Sequence, residues 1–155
     1  MAWTNSKIFR PYLADILANT TAIDLDTDTI HVSLFPTGTT PNQDVTSANS
    51  ALGAGVWTGE ITDGTNWDTG GEPITGKTVD SGTAATVFFD GTNTPQSGAT
   101  CTLAAVFGGL VYDFSLATPV DNQGICFNYF GGTNSVTGGT FTVVWHANGI
   151  FRFAI

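Results

Sequence analysis

Thr29-Ile30-His31-Val32-Ser33-Leu34-Phe35 alternates with the two-residue period of a β-strand, setting Ile30, Val32 and Leu34 on one face. Pro36-Thr37-Gly38 stops the run. On its N-terminal side the period differs. From Lys7 to Asn19, apolar residues at Ile8, Phe9, Tyr12, Leu13, Ile16 and Leu17 follow helical spacing. Pro11 is suited to a first turn and not to a helix interior, which starts the helix at Pro11 with Arg10 outside. On the C-terminal side, strand-like segments follow one another to the end. They lie around Val56, Trp57 and Ile61, then at Ile74–Val79, Thr83–Asp90, Ala99–Phe114, Gly124–Phe130 and Thr140–His146. Ala99–Phe114 reads either as one long bulged strand or as two strands meeting at Gly108-Gly109. Gly131-Gly132 ends the strand before it. Thr39–Gly55 reads as a long loop. One short N-terminal helix and about eight short strands make the fold mainly β, an antiparallel sandwich or small barrel.

The 155 residues fit one domain, 1–155, with residues 1–6 as an N-terminal arm. Charged residues are 11% of the chain, against roughly 25% in ordinary soluble domains. The hydrophobic content of 41% nevertheless excludes disorder. No apolar run approaches the roughly 20 residues of a spanning helix. Four Lys and Arg against thirteen Asp and Glu exclude a phosphate-binding patch, so nucleic acid and anionic membranes are not expected partners. The first residues carry no secretory signal pattern, and synthesis in a cytoplasm is expected. About one residue in six is Thr, a residue suited to half-buried pleated surface. Cys101 and Cys126 match no metal-ligand spacing and read as small buried hydrophobes in strands.

Candidate chemistry is sparse. Asp24, Asp26 and Asp28 place three carboxylates on one side of an extended chain. A calcium loop would need Gly and Glu where Thr29 and Phe35 stand, so a solvated turn is the better reading. His31 and His146 lack a nucleophile elbow or a zinc motif around them. Glu60 and Glu72 could supply a glycosidase pair, but nothing in the sequence orders them. The glycine-rich stretches lead into strands and not helices, unlike phosphate loops. Trp3, Trp57, Trp67 and Trp145 could form a sugar-stacking platform, but in an all-β domain Trp is more often core or subunit interface. No cofactor and no metal is expected.

An ordered set of segments resembles a known group. They are Asp24–Phe35, Gly59-Glu60-Ile61-Thr62-Asp63-Gly64 with Gly70-Gly71, and Ile74–Val79. Ala104–Asp113, Tyr129-Phe130-Gly131-Gly132, Gly139–Trp145 and Asn148-Gly149-Ile150-Phe151 follow. From Lys7 onward the chain is similar to small structural proteins of tailed bacteriophages, described as capsid decoration (cement) or minor virion proteins. The resemblance implies a non-enzymatic, β-rich, oligomeric protein of the virion. Its expected partners are the major capsid protein and further copies of itself, and its expected place is the capsid surface. A tail tube or tip subunit and a carbohydrate-binding module on the particle are the alternatives. Interface contacts are expected at Trp3, Phe9 and Tyr12 of the N-terminal segment and at Val56 and Trp57 of the long loop, as exposed aromatics awaiting burial. Deleting residues 1–6 should then weaken particle binding and leave the fold intact.

Overall fold

The computed structural model describes residues 3–81 and 85–154. Along the chain run β1 (Lys7–Ile8), α1 (Arg10–Leu17), β2 (Ile30–Pro36), α2 (Ser47–Ser50), β3 (Glu72–Pro73), β4 (Thr78–Asp80) and β5 (Thr86–Asp90). β6 (Thr94–Pro95), β7 (Cys101–Asp113), β8 (Gly124–Gly139), β9 (Thr142–Val143) and β10 (Phe151–Ala154) complete it. The largest sheet has five strands in the order β1-β8-β7-β2-β3. A three-stranded sheet, β10-β5-β4, and a two-stranded one, β6-β9, complete the layers. All pairings are antiparallel, and the sheets stack as a sandwich without closing into a barrel.

The alternating stretch is β2, and it lies deeper than its pattern implies. Ile30, Val32 and Leu34 are fully buried, as expected, but so are Ser33 and Phe35 on the opposite face. That second face is covered by chain from outside the sheets: the Trp57 ring stands edge-on to Phe35 at 5.0 Å. Across the sheet, Val32 aligns with Val111 of β7, which aligns with Cys126 of β8. Phe89 of β5 and Ile150, just ahead of β10, belong to the same apolar core and tie the second sheet to the first. Both cysteines are buried, unpaired strand residues.

Several expected boundaries move. Ala99–Phe114 resolves as the single strand β7, bulged at several points against β8 and carrying Ala105 at φ 56. β8 does not end at Gly131-Gly132. Both glycines take positive φ, 80 and 157, and absorb an irregularity within a 16-residue strand. The two longest strands are therefore not short ones. Lys7 and Ile8 pair with Phe127 and Cys126 as β1, which leaves the helix to begin at Arg10 with Pro11 in its first turn. Asn19, at φ 54, follows its end. No strand forms around Val56 and Trp57. Gly53 and Gly55 turn the chain there, and only Ile61 bridges to Leu34. Inside the Thr39–Gly55 stretch, Thr46 caps the short helix α2 by accepting from the Asn49 amide. The expected start of β5 at Thr83 lies outside the described residues.

Candidate functional site

The sequence points first to five residues, and four of them are core. Trp3, Phe9, Tyr12 and Trp57 are 5%, 0%, 2% and 1% exposed. The expectation of exposed aromatics at these positions is thereby overturned; only Val56, 37% exposed, stands at the surface. Trp3, Phe9 and Trp57 come together with Phe35 and Phe127. Trp3 meets Trp57 edge-on at 5.8 Å, and Phe9 meets Trp57 at 5.9 Å and Phe127 at 5.4 Å. The Trp3 indole N–H donates to the Pro36 carbonyl at 3.0 Å, which locks the N-terminal segment to the end of β2. Tyr12 packs against Phe151, and burial raises the pKa of its hydroxyl. The physical reason is economy of apolar surface. Short strands leave gaps between the stacked sheets, and large rings from the connecting segments fill them.

Burial also removes the sugar platform at three of its four indoles. Trp57, Trp67 and Trp3 offer no face to a ligand. Trp145 is partly exposed and donates from its ring nitrogen to Thr94 Oγ1 at 3.2 Å.

A polar cluster lies where no single motif marks it. The Tyr112 hydroxyl donates to the Gly70 carbonyl at 2.6 Å, and His31 Nδ1 bonds the same oxygen at 2.8 Å. A carbonyl can only accept, so Nδ1 carries the proton. Both Glu60 carboxylate oxygens accept from the Gly70 amide, at 3.0 and 3.1 Å. Ser33 is buried beside Glu60 and Tyr112. Burial raises the Glu60 carboxyl and the Tyr112 hydroxyl and lowers the His31 imidazole, each toward its neutral form. The His31 ring stacks on Phe114 at 4.3 Å. A catalytic triad would set His31 between a nucleophile and a carboxylate. Here its Nδ1 is committed to main chain. The groups converge on one peptide unit, and what they do is hold the Gly70-Gly71 turn onto β2.

The acidic turn is likewise bound inward. Asp28 Oδ2 accepts from the Asp24 amide at 2.7 Å, Asp24 Oδ1 from the Asp26 amide at 3.1 Å, and Asp26 Oδ1 from the Val79 amide at 2.9 Å. Among the described residues, no group of three or more His, Cys, Asp and Glu side chains is placed to hold a metal ion. The Asp28 carboxyl also lies against Asp113, which is fully buried and has a raised pKa because it is desolvated there. Asp113 Oδ1 accepts from the Ser115 amide, the Ser115 hydroxyl and the Leu116 amide, while Oδ2 has no donor.

The surface feature of most interest is a groove of about 360 Å³ between β8 and the returning chain, lined by Tyr129, Phe130, Asn134, Phe141 and Val144. Val144 is 71% exposed. β1 pairs with β8 only at Cys126 and Phe127, and the Tyr129 amide is taken by Ser6 Oγ at 2.9 Å. Beyond that point, β8 has β7 on one side and no described strand on the other. Neither this edge nor the Gly70 cluster follows from local pattern. The signals for them were the Gly70-Gly71 doublet and the long run without charge around β8.

No protein-family model, curated protein or solved structure matches the chain.

Proposed function

We propose that this chain is a non-enzymatic structural protein of a tailed-bacteriophage virion, a decoration protein that binds the outer head shell and stabilises it. The observation that carries the reading is how the segments resembling that protein group are used. Asp24–Phe35 spans the acidic turn and most of β2; Gly59–Gly64 and Gly70-Gly71 lie in the connection clamped to β2 through Gly70. Ala104–Asp113 lies in β7, Tyr129–Gly132 in β8, and Asn148–Phe151 turns into β10. These segments serve one shared framework and leave the titratable clusters holding backbone. A scaffold of this kind suits a protein whose work is to present surface. Such a cap acts by mass action, because it binds the assembled shell and not the dissociated subunits.

The test is cryo-electron microscopy of the intact particle together with heating of particles that lack the protein. The expected result is density for this chain in symmetric clusters on the head, and heads that open at lower temperature without it. Density confined to the tail, or none in the particle, overturns the head-shell reading.

A further inference from the structure

The thirteen acidic residues are unevenly placed. Residues 91–112 and 122–145, which contain β6, β7 up to Tyr112, β8 and β9, hold no Asp, Glu, Lys or Arg. The outer edge of β8 beyond Tyr129 belongs to this region. Phe130-Gly131-Gly132-Thr133-Asn134-Ser135-Val136-Thr137-Gly138 carries no charge and no proline. Exposed edges in natural proteins are usually blunted by lysines, prolines or a covering segment, because bare amides and carbonyls template pairing. Here β1 covers only Cys126 and Phe127, and Asn134 Nδ2 caps the Gly132 carbonyl at 2.9 Å.

From this placement we infer that the β8 edge, residues 130–138, is a pairing surface for the same edge of a second copy of this chain, joined antiparallel about a two-fold axis. Two observations select a second copy as occupant. An antiparallel strand edge is self-complementary: the donors and acceptors that one copy presents are those its rotated partner requires. The chain also carries a formal net charge of -9, so two copies repel wherever their carboxylates approach, and this edge lies within the longest run of the sequence without Asp, Glu, Lys or Arg. At the rise of a regular antiparallel strand the edge would span about 30 Å, and the irregularity at Gly131-Gly132 shortens it. The groove beside it offers Phe130 and exposed Val144 as apolar contacts to the incoming copy. Because the opposing force is like-charge repulsion at a distance, added salt tightens the pairing.

The test is sedimentation velocity of the purified chain across a concentration series, at low and high sodium chloride, with the T133K/T137K variant in parallel. Thr133 and Thr137 are exposed, and their side chains make no hydrogen bond among the described residues. The wild type is expected to form dimers by about 100 µM, more tightly in salt, and the lysines to raise the dissociation constant by at least about tenfold. A wild type that stays monomeric at that concentration overturns the inference, as does a folded lysine variant that dimerises as well as wild type. Should the variant not fold, hydrogen exchange on the wild type decides. Amides of residues 130–138 must exchange faster on dilution, and concentration-independent exchange overturns the proposal. A monomeric result leaves the head-shell reading standing, since that reading is tested on the particle.

Discussion

The indole of Trp3 occupies the space that a β-carbon on Gly108 would enter, 2.5 Å from Trp3 Cζ3. A residue from the start of the chain and one from the middle of β7 are thus fitted to each other. The N-terminal segment is a wall of the core and not a detachable arm.

Trp3→Ala is therefore expected to cost about 3–5 kcal/mol, the range for truncating a buried large ring. Gly108→Ala should also destabilise, because its new methyl meets the Trp3 ring and the Asn128 carbonyl at 2.6 Å. Urea unfolding followed by Trp fluorescence measures both. Deleting residues 1–6 should lower stability, contrary to the sequence-based expectation of an intact fold. A truncated chain with an unchanged midpoint would contradict the role given to Trp3.

Two glycines with positive φ should respond differently to alanine. Gly71 sits at φ 66, and a β-carbon there collides with the Val32 carbonyl of β2. Gly131 sits at φ 80 with open space around it. Gly131→Ala is expected to cost about 1 kcal/mol, from backbone strain alone. Gly71→Ala should cost about 3 kcal/mol or more, since strain is joined by a main-chain clash. Equal shifts in thermal midpoint would show that the Gly70-Gly71 turn is not pressed against β2.

Asp113 should make stability depend on pH in a direction opposite to that of a salt-bridged carboxylate. Desolvation first, and then the Asp28 carboxyl beside it, raise its pKa above the ordinary 3.8. The native chain then keeps a proton that the unfolded chain releases once pH passes that ordinary value. From there up to the raised native pKa, stability contributed by this group falls as pH rises. Asp113→Asn retains the Oδ1 acceptor and places an amide where Oδ2 lacks a donor, next to Asp28. The variant should show a flatter dependence above pH 4 and greater stability at neutral pH. Urea midpoints across pH, for both proteins, give the answer; parallel curves would assign the slope to Glu60 and Glu72, whose pKa values are also raised.

Neither thiol should react in the native protein. Cys101 and Cys126 are buried, and burial pushes both pKa values up, away from the reactive thiolate. A thiol reagent at pH 8 is expected to label neither residue until denaturant is added. Fast labelling of either one under native conditions would show that the strands holding it open readily.

The sequence pattern carried the fold class because local periodicity reports strands well. The run at Ile30, Val32 and Leu34 became β2, and Pro11 entered the first helical turn. It carried less where a residue's fate depends on distant partners. Nothing near Trp3 announces that Gly108 leaves a space for it, and nothing near Phe9 announces Trp57. Gly131-Gly132 reads as a stop because glycine usually breaks a strand. Here pairing with β7 continues on the far side, at Asn134 and Val136. The Gly70 cluster draws His31, Glu60 and Tyr112 from three separate stretches, so no motif could contain it.

The pairing of β10 with β5 joins Phe151–Ala154 to Thr86–Asp90, while β1 closes onto β8 at the opposite end of the chain. During synthesis, neither closure can be made until the second partner has left the ribosome, and for β5 that means waiting for the residues after Ile150. A copy halted before Phe151 is left with an open β5 edge and an uncovered Tyr12 ring. Such a copy exposes apolar surface of the kind that chaperones and proteases recognise. The strand that completes the second sheet is thus also the last of the described strands to be translated.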